Sequence, residues 1–182
     1  MNPEYRTFKF RSCKYRSSKY SAFALLLTLT FITGCEDSVA VQASIGEQAP
    51  AFTLHLTNGQ AVQIDGQPGN AKAITFMSSW CPCSNESVPL LKKMHAEYKD
   101  QNIDFLMVGI QDPERKFKQF VADYDLPFPA GYDDGNIIAR TYGINAPPTT
   151  VFIDRNGKLQ RIFYGNIKDM EADVYEWVRE LL

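Results

Sequence analysis

The chain has 182 residues, 45% of them hydrophobic and 22% charged, with a formal net charge of −2. That length and composition fit one ordinary globular domain with a full core, and exclude a disordered, collagenous or disulfide-dense chain. With 19 Lys+Arg against 21 Asp+Glu and no basic run in the body of the chain, nucleic acid has no support as a partner.

The charge is unevenly placed. Residues 1–34 carry Arg6, Lys9, Arg11, Lys14, Arg16 and Lys19 against only Glu4, and an apolar stretch follows from Ala22 to Ile32. A basic start, roughly ten apolar residues and then small ones make a secretory signal pattern, too short for a comfortable permanent span. The stretch closes with Ile32-Thr33-Gly34-Cys35, which resembles a bacterial lipobox. The resemblance implies that residues 1–34 are a lipoprotein signal peptide and that Cys35 carries the lipid as the mature N-terminus. Residues 35–46, small and polar, then form a tether to a domain at 47–182. Acyl chains contribute about 0.8 kcal/mol per buried CH₂, so several on one cysteine hold a domain firmly on a membrane. The expected location is therefore outside the cytoplasm, lipid-anchored to a bacterial membrane and facing the periplasm or the cell exterior. Glu36 leaves inner and outer membrane both open. Without residues 1–34 the chain keeps 13 Lys+Arg and 20 Asp+Glu, a net charge of −7.

After Pro50, Phe52, Leu54 and Leu56 alternate with polar residues, Asn58-Gly59 signals a turn, and Val62 and Ile64 continue the alternation as a hairpin. Ala73 to Met77 is an apolar run suited to a buried central strand. From Ser84 to Tyr98, Val88, Leu91, Met94 and Tyr98 recur at helical spacing, with Pro89 expected to kink that helix. Ile103 to Ile110 reads as a second central strand. Asp112-Pro113 supplies an N-cap and a first-turn proline for a helix presenting Phe117, Phe120, Val121 and Tyr124. Asn136 to Tyr142 forms a short helix stopped by Gly143. Thr150 to Ile153 and Leu159 to Phe163 flank Asp154-Arg155-Asn156-Gly157 as a hairpin, and an amphipathic helix with Met170, Val174, Trp177, Val178 and Leu181 inward ends the chain. Most of the aromatic residues fall at core-facing positions.

Of four cysteines, Cys13 leaves with the signal and Cys35 is the anchor, so Cys81 and Cys83 remain. A pair separated by one residue staples no fold and is chemical in an oxidising compartment. Cys81 stands between a strand and a helix, where free backbone N–H groups and the helix dipole favour a thiolate.

Trp80-Cys81-Pro82 opening a helix after a buried strand resembles the thioredoxin superfamily. Ile45-Gly46-Glu47-Gln48-Ala49-Pro50-Ala51-Phe52-Thr53-Leu54, Ser79-Trp80-Cys81, Pro89, Tyr142-Gly143-Ile144, Pro148-Thr149-Thr150-Val151-Phe152-Ile153-Asp154 and Gly157-Lys158 narrow this to the redoxin group of TlpA-like and ResA-like thiol-disulfide oxidoreductases. The resemblance implies an α/β thioredoxin-like fold: a central mixed sheet flanked by helices, an N-terminal β-hairpin and an insertion after the second central strand. It implies catalysis at Cys81 with Cys83, and a substrate groove shaped by Trp80, Pro82, Ser84, a cis Pro148 and Thr149. Thiol- or disulfide-bearing proteins or small thiols are the expected substrates, with a membrane redox partner as a further candidate and cytochrome c maturation as a family-level suggestion. No cofactor and no resident metal are expected.

The family pattern is Cys-x-x-Cys, whereas this chain reads Cys81-Pro82-Cys83-Ser84, so Ser84 falls where the resolving cysteine belongs. At about 100° per residue, positions three apart share a helix face and positions two apart diverge, so Ser84 is expected to face Cys81 and Cys83 is not. Three outcomes stay open: a strained, oxidising dithiol, a one-cysteine enzyme working with a partner thiol, or a soft-metal site. A peroxiredoxin-like peroxidase is the rival enzyme, since Ser78-Ser79-Trp80-Cys81 fits its Ser/Thr-x-x-Cys pattern, but Asn145-Ala146-Pro147-Pro148 lacks the arginine that family brings, leaving only Arg140. An SCO-like Cu(I)-binding protein is the non-enzymatic rival, and it would have to use His55 or His95, both read as surface residues. Glu86 sits one residue from the acidic position of the related oxidoreductases.

Overall fold

The computed structural model describes residues 42–182. The expected signal peptide, Cys35 and most of the tether lie outside the described residues.

Strands β1 (Phe52–His55) and β2 (Ala61–Ile64) form an antiparallel hairpin, and β3 (Ala71–Met77), helix α1 (Pro82–Tyr98) and β4 (Ile103–Gly109) follow. Then come α2 (Glu114–Tyr124), β5 (Ala130–Tyr132), α3 (Ile137–Thr141), β6 (Thr149–Ile153), β7 (Leu159–Tyr164) and α4 (Glu171–Leu181), with 3₁₀ turns at Asp134–Asn136 and Ile167–Met170. The main sheet runs β5-β4-β3-β6-β7. β3 pairs in parallel with β4 and β4 with β5, while β6 is antiparallel to both β3 and β7. The hairpin is a separate two-stranded sheet, touching the main one through the Leu56–Gly131 bridge. This is the thioredoxin-like mixed sheet expected, with its added hairpin.

Helices cover both faces, so β3 and β4 are apolar almost throughout. Alternation sends Ala73 and Met77 of β3 and Phe105 and Met107 of β4 into one core with α1, α2 and α4. Ile74, Phe76, Leu106 and Val108 point the other way, into a second core closed by α3 and the hairpin. Tyr142 is the largest fully buried side chain there, and its hydroxyl donates to Pro50 O at 2.7 Å.

The described chain begins pinned to the domain. Ala43 N donates to Thr141 O, Gly46 N to Leu159 O and Ala49 N to Gly157 O. Gln48 Nε2 donates to both Gly66 O and Asn156 O. Here Gly157 has φ 76°, and a Cβ on it would lie 2.0 Å from Gly66 O, so only glycine lets the two loops cross.

Three details differ from the sequence reading. β5 is an extra strand: it is three residues long with a central glycine, and pairing with β4 rather than propensity makes it a strand. Asp112 does not cap α2, because the N-cap is Pro113 and the Asp112 carboxylate points to the turn after β3 instead. His95 is half-buried rather than on the open surface, 5.7 Å from Phe105 and 5.4 Å from Phe128 between ring centroids. Helix α1 starts at Pro82, where Trp80-Cys81-Pro82 was expected to open it, and continues through Pro89.

Candidate active site

β3 ends at Met77, and four residues turn the chain into α1. Each is fixed from below or beside. Ser78 is fully buried, with its hydroxyl donating to Ile110 O at the end of β4 and its N–H donating to Ser84 Oγ at 3.3 Å. Ser79 N donates to Asp112 Oδ2 at 2.5 Å, and Trp80 Nε1 donates to Gln111 O at 2.8 Å. Cys81 N donates to Ser78 O at 3.1 Å, closing the turn.

Cys81 is the N-cap residue of α1, with extended dihedrals (φ −86°, ψ 119°), and Pro82 takes the first helical position, where a missing N–H breaks no helical bond. The Cys81 thiol is 8% exposed, and its Sγ lies 3.7 Å from Pro147 O. The Pro147–Pro148 bond is cis, Pro148 is buried, and Thr149 Oγ1 holds the same loop by donating to Ala146 O at 2.7 Å. The Cys81 sulfur is thus set against the carbonyl before Pro148. Trp80 stands beside it, 57% exposed.

Ser84 is fully buried and spends its hydroxyl on Ser78 N, so it braces the turn from the first helical turn. Cys83 is exposed, with its thiol near enough to Cys81 for that sulfur's charge to act on it. Cys81 lies outside the helix in dihedral terms, so the 100° rule alone does not fix where its side chain points relative to Ser84 and Cys83. Partial burial pushes the Cys83 thiol up from its ordinary value, and the negative charge of Cys81, Glu86 and Asp169 adds to the rise.

Beneath Cys83 lies a polar network absent from the sequence reading. The Ser87 hydroxyl is 2.8 Å from both Cys83 O and Asn166 Oδ1, and Asn166 Nδ2 donates to Glu86 Oε2 at 3.0 Å. Glu86 is exposed and linked to α1's start through Asn166 rather than reaching Cys81 directly. Asn166 and Gln111 carry no motif, and Asp112 carries only a capping signal it does not use, so the register of β4 and β7 brings all three here.

The residues of the rival readings stand elsewhere. The Ser78 hydroxyl is committed to Ile110 O, and the exposed Arg140 of α3 donates from Nη1 to Gly135 O in the turn before that helix. His95 follows Cys81 by fourteen positions, about 20 Å along the helix axis. His55 is exposed on the hairpin. A cavity of about 490 Å³ lined by Ile64, Lys72, Ile74, His95, Phe105 and Phe128 lies at the other end of β3 from the cysteines.

A thiol at a helix start, a second thiol two residues on, and a proline-bounded backbone groove are the parts of a disulfide-exchange site. The model of the redoxin family matches residues 44–178. The chain belongs to the redoxin family. It is 29% identical over 133 residues to the thiol-disulfide oxidoreductase ResA of Halalkalibacterium halodurans, covering 73% of this chain and 76% of that one. It is 31% identical over 132 residues to the ResA of Bacillus thuringiensis subsp. konkukian, covering 72% and 76%. Among solved structures, a Chlorobium tepidum protein assigned as the thiol:disulfide interchange protein DsbE superposes with a TM-score of 0.71 at 25% identity, covering 77% of this chain and 99% of its own. A Bacteroides thetaiotaomicron protein assigned as a protein disulfide isomerase gives 0.69 at 26% identity, covering 77% and 91%. This redoxin is a thiol-disulfide oxidoreductase of the thioredoxin superfamily, as its sequence led us to expect. Among its described residues no helix is long and apolar enough to cross a membrane.

Proposed function

We propose that this redoxin is a lipid-anchored, extracytoplasmic oxidoreductase in which Cys81 is the attacking thiol and Cys83 the resolving one. The observation that carries this reading is Cys81 at the start of α1, with Sγ 3.7 Å from Pro147 O across from the cis Pro148. In the reducing direction the Cys81 thiolate attacks one sulfur of a substrate disulfide. A Cys81–substrate disulfide forms, the substrate S–S bond breaks, and the departing sulfur leaves with the electron pair and takes a proton from solvent. Cys83 then attacks Cys81 Sγ, releasing the substrate as a second thiol and leaving the Cys81–Cys83 disulfide for an external dithiol to reduce. The oxidising direction is the same path reversed. Substrates are thiol- or disulfide-bearing proteins or small thiols. Trp80, Pro82, Pro148 and Thr149 shape the groove, and Ser84 braces its floor.

The anchor rests on the basic and apolar start of the chain and on Ile32-Thr33-Gly34-Cys35. Residues 35–46 would then connect the lipid to the domain.

The test is exchange by the reduced protein and its Cys81→Ser and Cys83→Ser variants, followed by mass spectrometry after acid quench. Cys81→Ser loses exchange, and Cys83→Ser accumulates a substrate adduct on Cys81. Exchange that survives Cys81→Ser, or an adduct on Cys83 in the wild type, overturns the assignment.

A further inference from the structure

Gln111 follows β4 by two residues and bonds to three segments around Cys81. Its carbonyl accepts from Trp80 Nε1 at 2.8 Å, its N–H donates to Asn136 Oδ1 at 2.7 Å, and its side-chain Nε2 donates to Asn145 O at 2.8 Å. Trp80 precedes the thiol, Asn136 precedes α3, and Asn145 lies two residues before the Pro147 carbonyl that faces Cys81 Sγ. Gln111 also has φ 50°, a region glutamine seldom occupies without surrounding structure to hold it there. The exposed apolar side chains Trp80 (57%) and Ile137 (62%) flank these bonded positions.

We propose that Gln111 is a positioning residue that sets the span between the Trp80 turn and the Asn145–Pro148 loop, and thereby selects polypeptide disulfides over small ones. A small disulfide has only to reach Cys81 Sγ. A polypeptide has to lie between Trp80 and the Pro147 carbonyl, so it reads the width that Gln111 holds. The inference rests on Cys81 as the attacking thiol.

Gln111→Gly keeps both backbone bonds, removes the link to Asn145 and relieves the positive φ, so its melting temperature is expected to equal or exceed the parent's. Gln111→Met removes the donor at similar size and answers the same question should the glycine variant be poorly folded. The reduced proteins are assayed with insulin as the polypeptide disulfide and hydroxyethyl disulfide as the small one. Loss of one neutral, exposed hydrogen bond predicts a fall of roughly two- to fivefold in the insulin to hydroxyethyl disulfide ratio of kcat/KM, carried by KM for insulin. An unchanged ratio, or an equal loss on both disulfides, overturns the proposal. Hydroxyethyl disulfide exchange that persists in Cys81→Ser shows instead that the attacking thiol is misassigned, a different failure that removes the inference with it.

Discussion

Cys83 is the residue whose behaviour the geometry sets most distinctively. Burial, and then the charges of Cys81, Glu86 and Asp169, hold its thiol in the protonated form to higher pH than an unstructured cysteine. In a Cys81→Ser background, where burial and the two carboxylates remain, its alkylation by iodoacetamide should therefore reach half its maximal rate at a higher pH than that of a cysteine in a short peptide. Adding Glu86→Gln should bring that midpoint down, and a midpoint at or below the peptide's would mean that the carboxylates do not act on it. Ser84 gives a second residue-scale expectation. Ser84→Ala leaves the buried Ser78 N–H without its acceptor, which should destabilise the protein by about 1–3 kcal/mol in urea unfolding. Ser84→Cys places a thiol at the family's resolving position, and a lower reduction potential in a glutathione titration is the expected result.

At the scale of elements, the turn between β3 and α1 is held mostly by the end of β4. Ile110, Gln111 and Asp112 each bond a different residue of the turn: Ser78, Trp80 and Ser79. Asp112→Ala frees Ser79 N and should slow exchange along with a stability loss of about 1–3 kcal/mol, measured by unfolding and by the rate with a small disulfide. This dependence explains what could be read from the chain and what could not. Cys81 and Pro82 were legible because a proline after a helix-opening cysteine has a local meaning, whereas Trp80 and the cis Pro148 were expected from the resemblance to the redoxin group, and the cis bond is present. Asp112 was misread as a cap, since Asp before Pro carries that local signal, while its real partner is 33 positions away. Gln111 and Asn166 have no local signature at all. β5 escaped for the same reason, being a strand only by virtue of β4 beside it. Conversely, β3, β4 and α1 were plain in the sequence because burial on both faces, or along one stripe, writes itself into the order of apolar residues.

For the whole molecule, the two cores on either side of the sheet make stability sensitive to charge entering from outside. His95 packs against Phe105 and Phe128, and burial, with Lys99 adding and Asp100 opposing, holds its imidazole below the ordinary value. The unfolded chain then binds a proton where the folded one does not. The His95 contribution is fully present above pH 6.5 and is lost as pH falls below it. His95→Gln should flatten the dependence of the urea midpoint on pH in that window, and a curve as steep as the parent's would refute the assignment. If Cys35 bears the lipid we propose, Cys35→Ser should abolish incorporation of labelled palmitate and move the protein from the membrane to the soluble fraction.

The stretch from Ala43 to Ala49 lies along the domain rather than springing free of it, and its first bond is to Thr141 at the end of α3. Any tension on the chain ahead of Gln42 is therefore carried first by the flank that leads, through Gly143 and Asn145, into the Pro147–Pro148 loop. If Cys35 is the anchor we propose, a leash fixed there would pull beside the proposed groove, and a tug on it would reach the loop that faces Cys81.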